Sequence, residues 1–147
     1  MPEPLLQTVN LTKGFPIRRG FFGQKRLRLV AVDRVNLDIA EGETLGLVGE
    51  SGCGKSTLGL TIMRLYEPTS GQVCFEGHDL GSMGPEELRK ARRQMQMIFQ
   101  DPYASLDPRL TIEQILLEPL NIHEIGTPKE RLLEVQRLLD IVGLPSD

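Results

Sequence analysis

Three glycines, a lysine and three hydroxyls stand in the order Gly49-Glu50-Ser51-Gly52-Cys53-Gly54-Lys55-Ser56-Thr57. The spacing fits G-x-x-x-x-G-K-[ST], a phosphate-cradling pattern. Without a Cβ, a glycine lets the main chain approach a ligand and adopt angles that side chains forbid. Successive N–H groups then face one centre, and a following helix N-terminus adds its positive dipole end, so a polyanion is favoured. Lys55 reaches the β- and γ-phosphates of a nucleotide, the Ser56 hydroxyl ligates the accompanying Mg2+, and Thr57 adds a hydrogen bond to phosphate. By itself the loop does not say which nucleotide phosphatase or kinase carries it. A serine-hydrolase elbow is a poorer match, because Cys53 occupies the place of the last glycine of G-x-S-x-G.

Such a loop needs a strand to deliver it and a helix to receive it. Thr44-Leu45-Gly46-Leu47-Val48 reads as a short buried strand, and Ser56 to Arg64 as the helix. Earlier, Leu5, Val9 and Leu11 mark one strand, and Val35, Leu37 and Ile39 alternate with Arg34, Asn36 and Asp38 in a half-buried second. The basic stretch from Pro16 to Arg26, with Phe21 and Phe22, reads as a solvated hairpin insertion. Later, the turn Glu67-Pro68-Thr69-Ser70-Gly71 leads into a strand from Gln72 to Glu76.

Pro85 opens a helix with Glu86 and Glu87 in its first turn and Arg89, Lys90, Arg92 and Arg93 further on, a solvated face matched to the helix dipole. Met95, Met97 and Phe99 alternate with Gln94 and Gln96 as a strand ending at Gln100. Asp101-Pro102 and Asp107-Pro108 make the next segment a loop. Thr111 and Gln114 then cap a helix expected to stop or bend before Pro119. Thr127, Pro128 and Glu130 open the last helix, whose apolar face is Leu132, Val135, Leu138, Leu139 and Val142 and whose stop is Gly143.

Composition narrows the field. Over 147 residues, 17 basic and 20 acidic side chains leave a formal charge of −3, giving no bulk reason to expect nucleic acid. Cys53 and Cys74 lack C-x-x-C spacing, which argues against a disulfide framework or a zinc site. No apolar run reaches the length of a membrane span, and Met1-Pro2-Glu3-Pro4 lacks the features of a signal peptide, so a cytosolic setting is expected. His78 and His123 have no catalytic partners nearby in sequence and read as surface residues.

Three stretches together resemble the ATP-binding subunit of an ABC transporter, of the oligopeptide, dipeptide and nickel importer type. They are Glu43 through Leu58, the turn Glu67 to Gly71, and Met97-Ile98-Phe99-Gln100-Asp101-Pro102-Tyr103-Ala104-Ser105-Leu106-Asp107-Pro108-Arg109. The third is the most specific, and the resemblance covers nearly the whole chain. It implies an α/β fold of the P-loop ABC ATPase type, with a mixed sheet and an N-terminal antiparallel β subdomain. Residues 1–42 and 71–78 would form the β subdomain, 43–70 and 79–101 the P-loop core, and 102–147 the start of a helical subdomain.

Carried over by residue, Gln100 matches the family's Q-loop glutamine, implied to meet Mg2+ and the attacking water. Phe15 matches the aromatic that stacks on adenine, a contact worth roughly 1–3 kcal/mol by analogy with base stacking. The catalytic pair so implied is Lys55 and Gln100, with Ser56 and Gln100 on the metal. The implied ligands are ATP and Mg2+. The implied partners are transmembrane permease subunits, a second ATP-binding subunit as homo- or heterodimer, and indirectly a solute-binding protein, at the cytoplasmic side of the membrane, peripherally.

The resemblance also implies departures. The family's Leu-Ser-Gly-Gly-Gln signature, Asp-Glu strand and switch histidine do not occur in these residues. A chain truncated before them would bind nucleotide without turning it over at a useful rate. In the family the partners of the phosphate-loop strand come from later sequence, so this apolar strand is expected to keep unpaired edges and to favour aggregation.

Overall fold

The alternating apolar residues of the N-terminal third build one long antiparallel hairpin. In the computed structural model, which describes residues 3–19, 25–101 and 105–145, β1 (Leu6–Arg19) pairs with β2 (Lys25–Ile39) from Leu6 opposite Ile39 to Arg19 opposite Lys25. Cross-strand pairing thus carries β1 well beyond Leu11. Residues 20–24 of the expected hairpin insertion, Phe21 and Phe22 among them, lie outside the described residues.

The register shifts near Thr8, Leu11 and Lys13. There the buried Thr8 hydroxyl donates to the Val35 carbonyl at 3.1 Å and accepts the Leu37 N–H at 3.1 Å, so the irregular ladder has no orphan at that point. On the other edge of β1 lies β3 (Ser70–Phe75), followed by β4 (His78–Asp79), giving the antiparallel order β2-β1-β3-β4. The helix after the glycine loop, α1 (Lys55–Ile62), and α2 (Pro85–Gln94) complete this unit. Leu11, Val32, Leu58, Val73, Phe75, Leu80 and Ala91 form its buried core, drawn from the sheet, the turn after β4 and both helices. Burial of each large apolar side chain contributes roughly 1.5–3 kcal/mol. Cys74 is half-buried on β3.

Two expected strands are absent. Residues 43–50 have no regular secondary structure, and Leu45, Leu47 and Val48 are 46%, 52% and 90% exposed. Likewise, residues 95–99 form no strand, and Ile98 is 96% exposed. The pattern of apolar residues is that of a strand, but a strand exists only where a neighbour accepts from its N–H groups and donates to its C=O groups. None of the described strands pairs with either segment, in line with the unpaired edges expected for the phosphate-loop strand.

The helical basic cluster is not wholly a solvated face. The half-buried Arg92 donates its Nε to the Met63 carbonyl at 3.3 Å and its Nη2 to the Arg64 carbonyl. It therefore puts a cation on the carbonyl end of α1, where the helix dipole is negative.

The chain divides into two compact units, Met1–Met95 and Gln96–Asp147. In the second, α3 (Ile112–Ile122) and α4 (Pro128–Ile141) carry the expected capping boxes at Thr111/Gln114 and Thr127/Glu130. α3 runs through Pro119 rather than stopping before it. The proline falls in the last turn, where it removes a single ladder bond, and its own carbonyl still accepts the His123 N–H at 3.0 Å. Arg131 closes the helical pair by donating to the Ile125 carbonyl at 2.9 Å, Asn121 Oδ1 at 2.7 Å and the Gly126 carbonyl at 3.0 Å. Just past the end of α4, Gly143 has φ 71°, and the Leu144 N–H returns to the Leu139 carbonyl at 3.0 Å. Val135 is buried on α4, whereas Leu132 and Val142 of its apolar face are exposed. Pro102, Tyr103 and Ala104 lie outside the described residues. No helix among the described residues is long and apolar enough to cross a membrane.

Candidate functional site

The loop from Gly49 to Thr57 turns directly into α1. Gly54 is the N-cap, with φ 100° and ψ 3°, and Gly52 has φ 81°. Both lie in the left-handed region where a side chain is strained. Gly54 also has no room for one: an added Cβ would stand 2.2 Å from the Ala31 carbonyl oxygen of β2. The loop is therefore seated on the hairpin by direct backbone contact.

The first helical hydrogen bond runs from the Leu58 N–H to the Gly54 carbonyl at 2.8 Å. Helix geometry leaves the N–H groups of Lys55, Ser56 and Thr57 without intrahelical acceptors. No acidic side chain stands in this first turn, so nothing within α1 offsets its positive end. Lys55 folds over the loop and donates to the carbonyls of Gly49 and Glu50, each at 2.7 Å, and to Cys53 Sγ at 3.6 Å. Glu50, Ser51, Gly52, Cys53 and Ser56 are exposed. Thr57 is half-buried and its carbonyl accepts the Thr61 hydroxyl at 2.6 Å. Lys55, the exposed Ser56 hydroxyl and the open first turn of α1 thus lie on one short loop, which is the arrangement a chain of phosphates would need.

The donor set also fits Mg2+ of the kind carried by a nucleotide. Among the described residues no cluster of three His, Cys, Asp or Glu side chains is arranged to hold a metal by itself. Ser56 offers one exposed hard oxygen, and Mg2+ commonly takes one or two protein oxygens with the remaining positions filled by phosphates and water.

In the same unit, Phe15 is half-buried on β1 opposite Leu29. Leu29 is two residues along β2 from Ala31, which touches Gly54; at a strand rise of roughly 3.3 Å that is about 7 Å. The aromatic and the phosphate loop are therefore neighbours on one hairpin. Phe15 is not alone. Its ring lies 5.4 Å from that of Tyr66 at 84°, an edge-to-face pair, and Lys13 Nζ stands 5.1 Å from the Phe15 centroid and 5.5 Å from that of Tyr66. Lys13 and Tyr66 were not legible as site residues. Tyr66 follows α1 in a turn, 51 positions from Phe15, and no periodicity links them.

Gln100 sits in the second unit, exposed at a bend, beside Asp101, whose carbonyl accepts the Ser105 hydroxyl at 2.7 Å. Its candidate role rests on its sequence motif. The two thiols differ: Cys53 is exposed, whereas burial, and secondarily the charge of Asp79, push the Cys74 thiol up. His78 is exposed, its Nδ1 2.7 Å from the Glu76 carbonyl, and His123 is half-buried at the end of α3.

Known proteins resemble this chain in sequence and in fold. A family model described as ABC transporter matches residues 32–147. The oligopeptide transport ATP-binding protein AppF of Bacillus subtilis is 50% identical over 143 residues, covering 97% of this chain and 44% of that protein. OppF, the oligopeptide transport ATP-binding protein of the same organism, is 50% identical over 146 residues, covering 98% of this chain and 46% of its own length. The chain thus spans less than half the length of these relatives. Among solved structures, the dimeric post-hydrolysis state of the ATP-binding cassette MJ0796 bound to ADP and Pi superposes with a TM-score of 0.72 at 30% identity, covering 95% of this chain and 58% of that one. The cbiO1 structure from Clostridium perfringens, at 22% identity and a TM-score of 0.65, shares the fold.

Proposed function

Because the chain belongs to the ABC transporter family, whose model matches residues 32–147, we propose that it builds the phosphate- and base-binding half of an ATP site in a peptide-importer ATPase. The observation that carries this reading is Lys55 folded over a loop that passes through left-handed glycines, Gly54 seated on Ala31, into the open N-terminal turn of α1. In this reading the N–H groups of the loop and Lys55 hold the phosphates, Glu50, Ser51 and Cys53 line the loop, Thr57 supports it, and Phe15 receives adenine. Ser56, with Gln100 by its motif, takes the metal. Mg2+, when bound with the nucleotide, neutralises phosphate charge.

We assign residues 1–42 and 71–78 to a β subdomain, 43–70 and 79–101 to the P-loop core and 102–147 to the start of a helical subdomain. Transport of peptides or a related small solute is the proposed role of the assembled system, beneath permease subunits, with a second ATP-binding subunit and, indirectly, a solute-binding protein. The place proposed for it is peripheral, at the cytoplasmic side of the membrane. Support comes from the names of AppF and OppF and from the dimeric state described for MJ0796.

For this chain by itself the proposal is ATP binding without useful turnover. Phosphoryl transfer to water needs a residue that orients the nucleophile, and the 147 residues contain no Leu-Ser-Gly-Gly-Gln stretch and no apolar strand ending in Asp-Glu. Titration of the chain with Mg-ATP, followed calorimetrically, tests the reading. Lys55→Ala removes a charged donor and should raise Kd by about tenfold or more. Equal affinity in the two proteins would overturn the binding assignment, and phosphate release abolished by Lys55→Ala would overturn the claim of inactivity.

A further inference from the structure

We propose that Tyr66 and Lys13 are positioning residues for the base end of this site, fixing the Phe15 ring so that a purine stacks in register with phosphates held at the N-terminus of α1. This rests on the ATP-binding reading and goes beyond it, since it assigns a specificity function to two residues outside every motif in the sequence.

Mounting is the first part of the case. The Tyr66 and Leu65 N–H groups both return to the Leu60 carbonyl, at 3.0 Å and 2.9 Å, so Tyr66 is pinned to the C-terminal end of α1. The phosphate nest occupies the other end of that helix. Eight residues of helix span about 12 Å, and the same rigid element therefore carries one partner of the aromatic pair and the phosphate cradle.

The second part is redundancy. β1 is already tied to the turn after α1 without any aromatic contact: Lys13 Nζ donates to the Glu67 carbonyl at 2.7 Å, and the Gly14 N–H donates to the Thr69 hydroxyl at 3.0 Å. These bonds fix the backbone on which Phe15 sits but leave its ring free to turn. Tyr66 removes that freedom by its edge-to-face contact, and the Lys13 ammonium lies within cation-π distance of both rings.

Location is the third. None of the three side chains belongs to the buried core, and Tyr66 is 38% exposed. The cluster is thus a surface device at the C-terminal end of α1, outside the buried core of the sheet.

The test compares Mg-ATP with inorganic tripolyphosphate and Mg2+ on the full chain by titration calorimetry. Tyr66→Leu should raise the Kd for ATP about two- to tenfold, the size expected for loss of one aromatic pair, and leave tripolyphosphate unchanged. Tyr66→Phe should restore ATP binding, because the contact uses the ring and not the hydroxyl. Lys13→Met should reproduce the ATP-only loss. If Tyr66→Leu leaves ATP binding unchanged, or weakens both ligands equally, the positioning role is overturned. If the unmodified chain binds ATP no better than tripolyphosphate, the base is not recognised and the inference falls while the phosphate site stands. If it binds neither, the proposed function itself fails and this inference with it.

Discussion

Replacing Gly54 by alanine tests how tightly the phosphate loop is seated on β2, and Gly52 supplies the matched control. Both positions are left-handed, at φ 100° and 81°, so alanine at either meets a conformational penalty of roughly 1–2 kcal/mol. Only Gly54 is also crowded. Its added Cβ would lie 2.2 Å from the Ala31 carbonyl oxygen, whereas nothing stands within 4 Å of the corresponding position at Gly52. Ordinary contact begins near 3.4 Å, so the loop and β2 must separate by about 1 Å, and neither atom belongs to a flexible side chain. Forced overpacking of this kind costs about 1–3 kcal/mol. The expected losses are therefore about 1–2 kcal/mol for Gly52→Ala and about 2–5 kcal/mol for Gly54→Ala. At roughly 2–4 °C per kcal/mol for a chain of this size, the two melting midpoints should differ by about 2–12 °C. Urea denaturation followed by circular dichroism, with thermal melts in parallel, reads the difference directly. If Gly52→Ala proves as costly as Gly54→Ala, the loop is not held against Ala31 and the seating argument is wrong.

Four further outcomes follow from named contacts. Arg92→Met keeps the packed stem but loses the guanidinium on the Met63 and Arg64 carbonyls; a loss of about 1–2 kcal/mol in urea is expected for this half-exposed charged cap, and no change would mean that it is idle. The Thr127 N–H, and secondarily its hydroxyl, hold the Glu130 carboxyl below the usual carboxylate range. Its stabilising effect is therefore present above the ordinary glutamate value of about 4.3 and is lost as pH falls through the depressed one, so Glu130→Gln should flatten the acid limb of a melting-midpoint profile below about pH 4.3, and an unchanged limb would refute the cap's role. N-ethylmaleimide should modify the exposed Cys53 before Cys74, whose thiol burial pushes up; the adduct, beside Lys55 Nζ, should abolish Mg-ATP binding, Cys53→Ser should resist, and retained binding by the modified chain would show that the loop is not the site. Val48→Lys and Ile98→Lys place charges on side chains that are 90% and 96% exposed and should reduce self-association in light scattering; scattering unchanged in both would mean that the unpaired apolar segments are not sticky.

What the amino-acid order made legible was local. The loop from Gly49 to Thr57, the capping boxes at Thr111 and Thr127, the proline at the start of α2 and the glycine stop at residue 143 each depend on torsions and reaches within a few positions. Those physical requirements are written in the residues that meet them. The turn from Glu67 to Gly71 was legible for the same reason, and it also delivers Thr69 to Gly14 across 55 positions, which no local pattern announces.

The failures share the opposite property. Leu45, Leu47 and Val48 have the side chains of a central strand, and Met95, Met97 and Phe99 have the alternation of one, but β structure is a relation between two segments. Apolar pattern specifies which face wants burial; only a neighbouring ladder supplies the hydrogen bonds that make the segment a strand. Where none of the described strands supplies one, the pattern persists as exposed hydrophobic surface. Arg92 was misjudged on the same ground, since a guanidinium reads as solvated until a helix end 28 positions away presents its carbonyls. Tyr66 is the functional counterpart. A residue whose role is to orient another across 51 positions leaves no local trace, so the aromatic at Phe15 was nameable by resemblance while the side chain that aims it emerged only from the fold. By this logic the chemistry of the site is encoded in the loop and its specificity in the contacts that join α1 to the hairpin. The two are therefore separable by mutation: changes at Lys55 should alter affinity for any polyphosphate, and changes at Tyr66 only for those carrying a base.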